Sequence, residues 1–251
     1  NQYTIILMSI YFCMKRSWVK IALGSLIVTN IFCVLFLFSR AAYIGIAVGM
    51  FFLFSLKNRK YLILLLLVLI FWQLVLPEKI KQRIGETTNE YGELDESSAN
   101  RLIVWQYSID MFSENPITGV GYGVFSQMGF GLTDTHNIYL KILAEQGLVG
   151  ITIFLLLILV FFLQGTKLAS GGEDDLEKGL GLGYAICIIV LMCNNVFGDR
   201  WTYMTLSSNL WVFTALVARL NYMGDQTRSA KRLQDQKTNK HKKTPPNYGR
   251  F

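Results

Sequence analysis

The chain has 251 residues, of which 52% are hydrophobic and 16% charged, and its formal net charge is +7. A soluble domain of this size carries about 25% charged residues. The low charge content and a mean hydropathy of +0.37 therefore exclude an ordinary soluble enzyme. Between residues 21 and 76 the only charged positions are Arg40 and the cluster at 57–60, which predicts an all-α, polytopic membrane protein.

Apolar runs follow one another along the chain, and the first is shorter than the roughly 20 residues of a membrane span. We therefore expect the chain to be the C-terminal part of a longer protein. Only Ser39 and Arg40 separate the second run from the third. One helix over both would be about 54 Å long, so a hairpin or a break is predicted there. The runs lie at about 3–14, 21–38, 41–56, 61–76, 138–163, 180–197 and 202–220.

The distribution of Lys and Arg predicts the orientation of these runs. Alternate loops, including the basic tail, hold seventeen of them, and the opposite set of loops holds six. The positive-inside rule places the richer set in the cytoplasm. This puts the long loop 77–135, with nine acidic and four basic residues, outside the cell. Residues 1–220 are then the transmembrane domain, and 221–251 are expected to be a disordered cytoplasmic tail attracted to anionic lipid.

Within the long loop, Glu86–Ser98 is polar and acidic and is expected to be flexible. The residues after it recur at helical spacing and predict an amphipathic helix that lies on the outer membrane face or on the bundle. Its apolar positions are Leu102, Trp105, Ile109 and Phe112. The glycines that follow, at 119, 121 and 123, lack the GxGxxG spacing and the preceding strand of a nucleotide-binding turn. They predict a glycine turn close to the membrane surface.

The candidate chemistry lies at the predicted external ends of the runs. Arg40 and Arg101 could form an anion site, because guanidinium groups bind phosphate in a bidentate manner and stay charged. Taken singly, Arg40 could equally be an interfacial anchor, and His136 an ordinary polar contact. Asp199 and Arg200 cluster with two asparagines at another external end, where interhelical hydrogen bonding and site lining are both open.

Several of these segments together resemble the superfamily of O-antigen ligases and Wzy-type polymerases. They are Ser39-Arg40-Ala41-Ala42, Asn100-Arg101 with Trp105, Asn115-Pro116-Ile117-Thr118-Gly119-Val120-Gly121, Thr135-His136-Asn137 and Gly147-Leu148-Val149-Gly150. The resemblance covers about residues 21–220. Some ligases place one residue between the histidine and the next polar residue, whereas His136 and Asn137 are adjacent here. The motif is therefore compatible with a ligase and with a polymerase.

The resemblance implies a GT-C-like helix bundle in the bacterial cytoplasmic membrane that acts as a glycosyltransferase on its external face. The donor would be a glycan on undecaprenyl diphosphate, the acceptor a glycan or a lipid, and a chain-length regulator could be a further partner. Arg40 and Arg101 would bind the diphosphate, and His136 would act as general base or as a phosphate contact. Asn137, Asp199 and Arg200 would line the site. No metal, other cofactor or nucleic acid is expected.

The acceptor decides among three enzymes: a polysaccharide polymerase, which we place first, a ligase to lipid A core, and a protein O-oligosaccharyltransferase. A transporter of lipid-linked glycan is the rival class of function. A carrier is expected to show internal repeats and ionisable residues at broken midplane helices. This sequence shows no internal repeat, and its candidate residues gather around one loop, which favours the enzyme.

Overall fold

The computed structural model of the chain describes residues 2–71, 78, 96–127 and 134–243. Over these ranges the regular secondary structure is helical, which confirms the predicted all-α membrane helix bundle. The helices are Gln2–Cys13 (α1), Ser17–Leu35 (α2), Arg40–Lys57 (α3), Arg59–Ile70 (α4), Glu96–Glu114 (α5), Val124–Gln127 (α6), Ile138–Gly171 (α7), Asp175–Asn194 (α8) and Met204–Lys243 (α9).

In the described part of the chain, four helices, α2, α3, α7 and α8, are long and apolar enough to cross a membrane, and each corresponds to one of the predicted runs. Helix α1 is apolar but has only 12 residues. The predicted run 61–76 is observed as α4, which ends at Ile70, and its residues 72–76 lie outside the described part of the chain. The last predicted run forms the first part of α9.

The predicted interruption at Ser39 and Arg40 is a break between α2 and α3. Phe38 has a positive φ of 47° there. The Ser39 hydroxyl accepts a 3.4 Å hydrogen bond from the backbone N–H of Ala42 and caps α3. The Tyr43 hydroxyl donates to the carbonyl of Leu35 at 2.7 Å and ties the two helices across the break. Arg40 is thereby fixed as the first residue of α3.

Helix α8 is central, because it packs against α1, α3 and α7 and most of its residues are buried. Gly179 and Gly183 allow α1 to approach closely: a Cβ at either position would lie 2.8 Å from the Cα of Ile10 or Ile6. Such small residues are typical of helix contacts in membranes. The antiparallel packing of α1 on α8 puts the C-terminus of α8 beside the N-terminus of α1.

Helix α5 forms the helix predicted in the long loop, and it lies on the bundle, but the predicted apolar face does not make the contact, since Leu102 and Ile109 are exposed. Val104 and Met111 are buried against Ala144 in the first part of α7. Most of the stretch predicted to be flexible, residues 86–95, lies outside the described residues.

Helix α7 is interrupted at Gly147, where φ is 63° and ψ is −158°. The segment 116–121, which includes two glycines of the predicted turn, replaces the helical hydrogen bonds that are lost at this point. Backbone N–H groups on one side of the interruption donate to the segment, and carbonyls on the other side accept from it. The bonds run from Leu148 to Pro116 (2.9 Å), from Val149 to Ile117 (3.2 Å), from Val120 to Ala144 (2.9 Å) and from Gly121 to Glu145 (2.9 Å).

Helix α9 continues to Lys243, so the chain is helical over much of the stretch for which we expected disorder. Its contacts with α7 help to explain the difference. The Lys167 ammonium lies 2.6 Å from the Asp225 carboxylate, and Asn221 donates to the carbonyl and side chain of Gln164. Because Lys, Arg, Gln and Ala also favour helices, a helix anchored by these contacts can extend beyond them.

Candidate active site

The turn that contains His136 is fixed by the side chains on either side of it. The Thr135 hydroxyl accepts from the N–H of Asn137 at 3.2 Å and donates to its carbonyl at 2.8 Å. The Asn137 amide oxygen accepts from the N–H groups of Tyr139 and Leu140 and caps α7. Asn137, predicted to line the site, is thus a buried helix cap, and its main effect is to fix the residue before it.

His136 projects from this turn with a positive φ of 50° and a side chain that is 51% exposed. Its Nδ1 atom lies 3.5 Å from Oδ2 of Asp134. A neighbouring carboxylate can orient an imidazole ring. The arrangement can therefore accept a proton from a group that approaches the exposed ring.

Lys141, one turn into α7, forms the principal ion pair of this region. Its ammonium lies 2.8 Å from Oδ2 of Asp199 and 3.9 Å from Oδ1 of Asp134. Neither Lys141 nor Asp134 was among the residues that the sequence predicted to form the site. The signal that could have identified the ion pair is the position of Lys141 inside an apolar run, because a charged side chain at membrane depth needs a partner.

The carboxylate of Asp199 is 1% exposed and hydrogen-bonded on several sides. It accepts from the backbone N–H groups of Trp201 and Thr202 and from the Thr202 hydroxyl. Burial by itself would raise the pKa of Asp199, but the hydrogen bonds from Lys141 and Thr202 outweigh it and lower the pKa below its usual value. Asp199 therefore links the loop between α8 and α9 to the start of α7 as a charged anchor.

A second link joins the same two elements through Asn195. Its carbonyl accepts from the N–H of Ile138 at 3.1 Å, and its side-chain oxygen accepts from the N–H of Arg200 at 2.9 Å. The start of α7, the end of α8 and the start of α9 thus meet at one end of the bundle. We call it the His136 end.

Arg101 reaches the His136 end on α5. The indole N–H of Trp105, one turn further along α5, donates to the carbonyl of Thr135 at 2.9 Å and ties the helix to the His136 turn. Nε of Arg101 is buried, and among the described residues it has no hydrogen-bond partner. A buried guanidinium nitrogen without a partner is costly, and an anionic substrate group would satisfy it.

Arg40 lies at the same end, beside a cleft of about 340 Å³. Its neighbours Ser39, Ala41 and Ala42 line this cleft together with Asn194 and Arg200. Arg200, predicted to line the site, is therefore a cleft residue, whereas Asp199 is buried behind it. Asn137 and Asp199 thus hold the start of α7, whereas Arg200 and the neighbours of Arg40 border the cleft.

The charged side chains of this end are suited to an anionic substrate. Arg40, Arg101 and Arg200 supply positive charge, whereas Lys141 is paired with Asp199, and His136 supplies an accessible imidazole. Within the described ranges, no group of three or more His, Cys, Asp and Glu side chains forms a candidate metal site.

Comparison with known proteins assigns the chain to a family. Residues 23–155 match the family model described as O-antigen ligase. The chain is 25% identical over 198 residues to a proposed polysaccharide ligase of Rickettsia conorii, which covers 71% of this chain and 46% of the relative. It is 23% identical over 196 residues to a similar protein of Rickettsia felis, with 71% and 47% covered. The chain thus spans about half the length of these relatives. Since the family model matches more than half of its residues, the chain belongs to the O-antigen ligase family.

Proposed function

We propose that the protein is a glycosyltransferase of the bacterial cytoplasmic membrane that transfers a glycan from undecaprenyl diphosphate to an acceptor on the external face. The observation that carries this proposal is the buried Nε of Arg101, which has no hydrogen-bond partner within the described part of the chain, on a helix that Trp105 ties to the turn of the exposed His136. A cation at the same end of the bundle as an accessible base suits a reaction in which an anionic group leaves and a hydroxyl attacks.

In the proposed reaction, the acceptor hydroxyl attacks the anomeric carbon of the donor sugar. The bond from that carbon to the diphosphate oxygen breaks, and undecaprenyl diphosphate leaves with the electron pair. Arg101 and Arg40 stabilise the negative charge that develops on the diphosphate, since guanidinium groups hold two oxygens at once. His136 takes the proton of the hydroxyl, and the carboxylate of Asp134 stabilises the resulting imidazolium.

Ligase and polymerase differ in the acceptor. The relatives are described as polysaccharide ligases, and this description favours ligation, although our sequence analysis placed the polymerase first. The glycan profile of a strain that lacks the gene separates the two. A full-length lipid-linked polymer that never reaches its anchor indicates a ligase, and loss of chain length indicates a polymerase. A normal profile would contradict both.

Variants of Arg101 test the proposed diphosphate contact directly. We expect Arg101→Ala to abolish transfer and Arg101→Lys to impair it, because an ammonium cannot reproduce the planar two-point contact of a guanidinium. Inorganic pyrophosphate should compete with the donor in the wild type and bind at least about tenfold more weakly to both variants. Exposed Gln106, on the same helix, provides the matched control Gln106→Ala. Unchanged transfer in a well-folded Arg101→Ala protein would overturn the proposal.

A further inference from the structure

The cleft beside Arg40 has a mixed lining that the proposed diphosphate contact does not use. It opens where the N-termini of α1 and α3 meet the C-terminus of α8. Polar side chains and apolar side chains share its walls. They are Gln2, Ser39, Asn194 and Arg200 on the polar side and Tyr3, Leu37, Ala41, Ala42 and Leu191 on the apolar side. Clefts of this size and character are typical of small-molecule sites.

Asn194 indicates which chemical group the cleft would accept. Its Oδ1 atom is buried and, among the described residues, accepts no hydrogen bond. An amide oxygen can be satisfied only by a donor. A fully ionised phosphate has only acceptor oxygens and cannot supply one. A sugar hydroxyl or an acetamido N–H supplies one.

Arg200 adds donors on another wall of the cleft. No carboxylate or carbonyl of the described residues pairs with its guanidinium. Its backbone is held in place, because its N–H donates to Asn195 at 2.9 Å. The next residue, Trp201, packs edge-on against Phe154 with ring centroids 5.1 Å apart. The guanidinium is thus presented from a fixed backbone and can donate to ring, hydroxyl or carboxylate oxygens of a sugar.

We propose that this cleft binds a sugar residue of the glycan, with Asn194 accepting from a hydroxyl or acetamido N–H and Arg200 donating to sugar oxygens. The inference rests on the proposed function and names the part of the substrate that the cleft recognises. The apolar walls fit the C–H faces of a pyranose ring, which an exclusively ionic site would not accommodate.

Gly45 offers a way to perturb Asn194 from a neighbouring helix. A Cβ at Gly45 would lie 2.6 Å from both Nδ2 and Oδ1 of Asn194, so Gly45→Ala must displace the amide. Gly24→Ala is the matched control, because a Cβ at that helical glycine meets only Tyr11, at 3.9 Å. Asn194→Leu removes the acceptor with little change in side-chain shape.

The test measures binding of two probes to the full-length protein in nanodiscs by calorimetry. The first probe is the free oligosaccharide repeat released by mild acid from the producing bacterium's own lipid-linked glycan, and the second is inorganic pyrophosphate. We expect Asn194→Leu and Gly45→Ala to bind the oligosaccharide about tenfold more weakly than wild type, as for one lost hydrogen bond. Gly24→Ala should bind it normally. Pyrophosphate affinity should be unchanged in all three, which also shows that they are folded.

Wild-type oligosaccharide affinity in both Asn194→Leu and Gly45→Ala would overturn the inference. A selective loss of pyrophosphate affinity would overturn it as well, because the cleft would then be an anion site. These outcomes differ from a failure of the proposed function. In that case the wild type would transfer no glycan, while oligosaccharide binding would still depend on Asn194.

Discussion

At the scale of single residues, the backbone of His136 is the most informative feature. A positive φ is uncommon for a non-glycine residue, although histidine adopts it more readily than most. Here Thr135 and Asn137 bond to each other across the histidine and hold the conformation. Strained residues held in this way cluster at functional sites, and the observed strain supports the proposal that His136 acts on substrate.

The first prediction concerns the base. We expect His136→Ala to lower kcat by about 10²-fold or more, the usual contribution of a general base, with little change in donor binding. His136→Asn is the matched variant, because asparagine tolerates the left-handed conformation but cannot take the proton. Single-turnover transfer and donor binding by purified protein are the measurements. Near-normal turnover in a well-inserted His136→Asn protein would contradict the role of general base and indicate that His136 is an ordinary polar contact.

The second prediction concerns the pair of Lys141 and Asp199. Asp199→Asn removes the charge that balances a mostly buried lysine, and breaking a buried pair costs about 3–5 kcal/mol. We expect the lower part of this range, since Asp134 lies 3.9 Å from the same ammonium. The free energy of unfolding is measured in denaturant. The double variant Lys141→Met with Asp199→Asn should regain part of the loss, because no lysine is left without Asp199 and the amide oxygen can still accept from Trp201 and Thr202.

The same pair predicts a pH dependence with a definite sign. The pKa of Asp199 is lower in the folded protein than its ordinary value, which is about 3.9. Its contribution to stability is therefore fully present above about pH 4 and is lost as the pH falls through the lower folded pKa. The stability difference between wild type and Asp199→Asn should shrink below about pH 4. A difference that grows in acid would contradict the charged state of Asp199.

At the scale of secondary-structure elements, the interruption of α7 couples the long loop to the His136 turn. The segment 116–121 bonds to α7 on both sides of Gly147, and α5 packs beside it. The part of α7 that carries Lys141 and follows His136 is thus held by the loop rather than by a continuous helix.

The third prediction tests this coupling through Gly147. Its φ and ψ of 63° and −158° are essentially restricted to glycine, so an alanine there costs about 1–3 kcal/mol. Its Cβ would also lie 2.4 Å from the carbonyl oxygen of Ile117, which should detach the segment and lower activity. Gly123→Ala is the control: it has a positive φ of 76° but no atom within 4 Å of the added Cβ. Thermal unfolding and transfer activity should fall much further in Gly147→Ala.

At the scale of the whole molecule, the two ends of the bundle differ in chemistry. The His136 end carries the candidate site. At the opposite end, Lys167 of α7 pairs with Asp225 of α9, which also lies 3.8 Å from Arg228 of the same helix, and α9 continues as a basic helix. We expect the basic end to face the cytoplasm, because the positive-inside rule assigns it there.

The fourth prediction tests this orientation by labelling single cysteines in a variant that lacks the four native ones. Tyr122, which is 80% exposed, directly follows the segment 116–121, and Glu173 is exposed between α7 and α8. With an outer envelope permeable to the reagent, a membrane-impermeant thiol reagent should label Tyr122→Cys in intact cells and Glu173→Cys only after lysis. Labelling of Glu173→Cys alone in intact cells would reverse the orientation and contradict the external site.

Much of the fold could be predicted from the sequence, because it depends on local or short-range chemistry. Apolar runs without charge predict membrane helices wherever they occur, and the polar pair at Ser39 and Arg40 marks a break between two of them. The spacing of Leu102, Trp105, Ile109 and Phe112 predicts α5, and the closely spaced glycines predict a turn. The motifs around Arg40, Arg101 and His136 also indicated the family.

The partners of these residues depended on the tertiary structure, because they join positions far apart in the chain. Lys141 meets Asp199 across 58 residues, and nothing in the local pattern around either residue specifies the other. The cap role of Asn137, the position of Arg200 in the cleft wall and the interruption of α7 at Gly147 likewise follow from packing. Hydropathy indicates which segments lie in the membrane. Which helices become neighbours depends on close packing at small residues and on hydrogen bonds between buried polar groups.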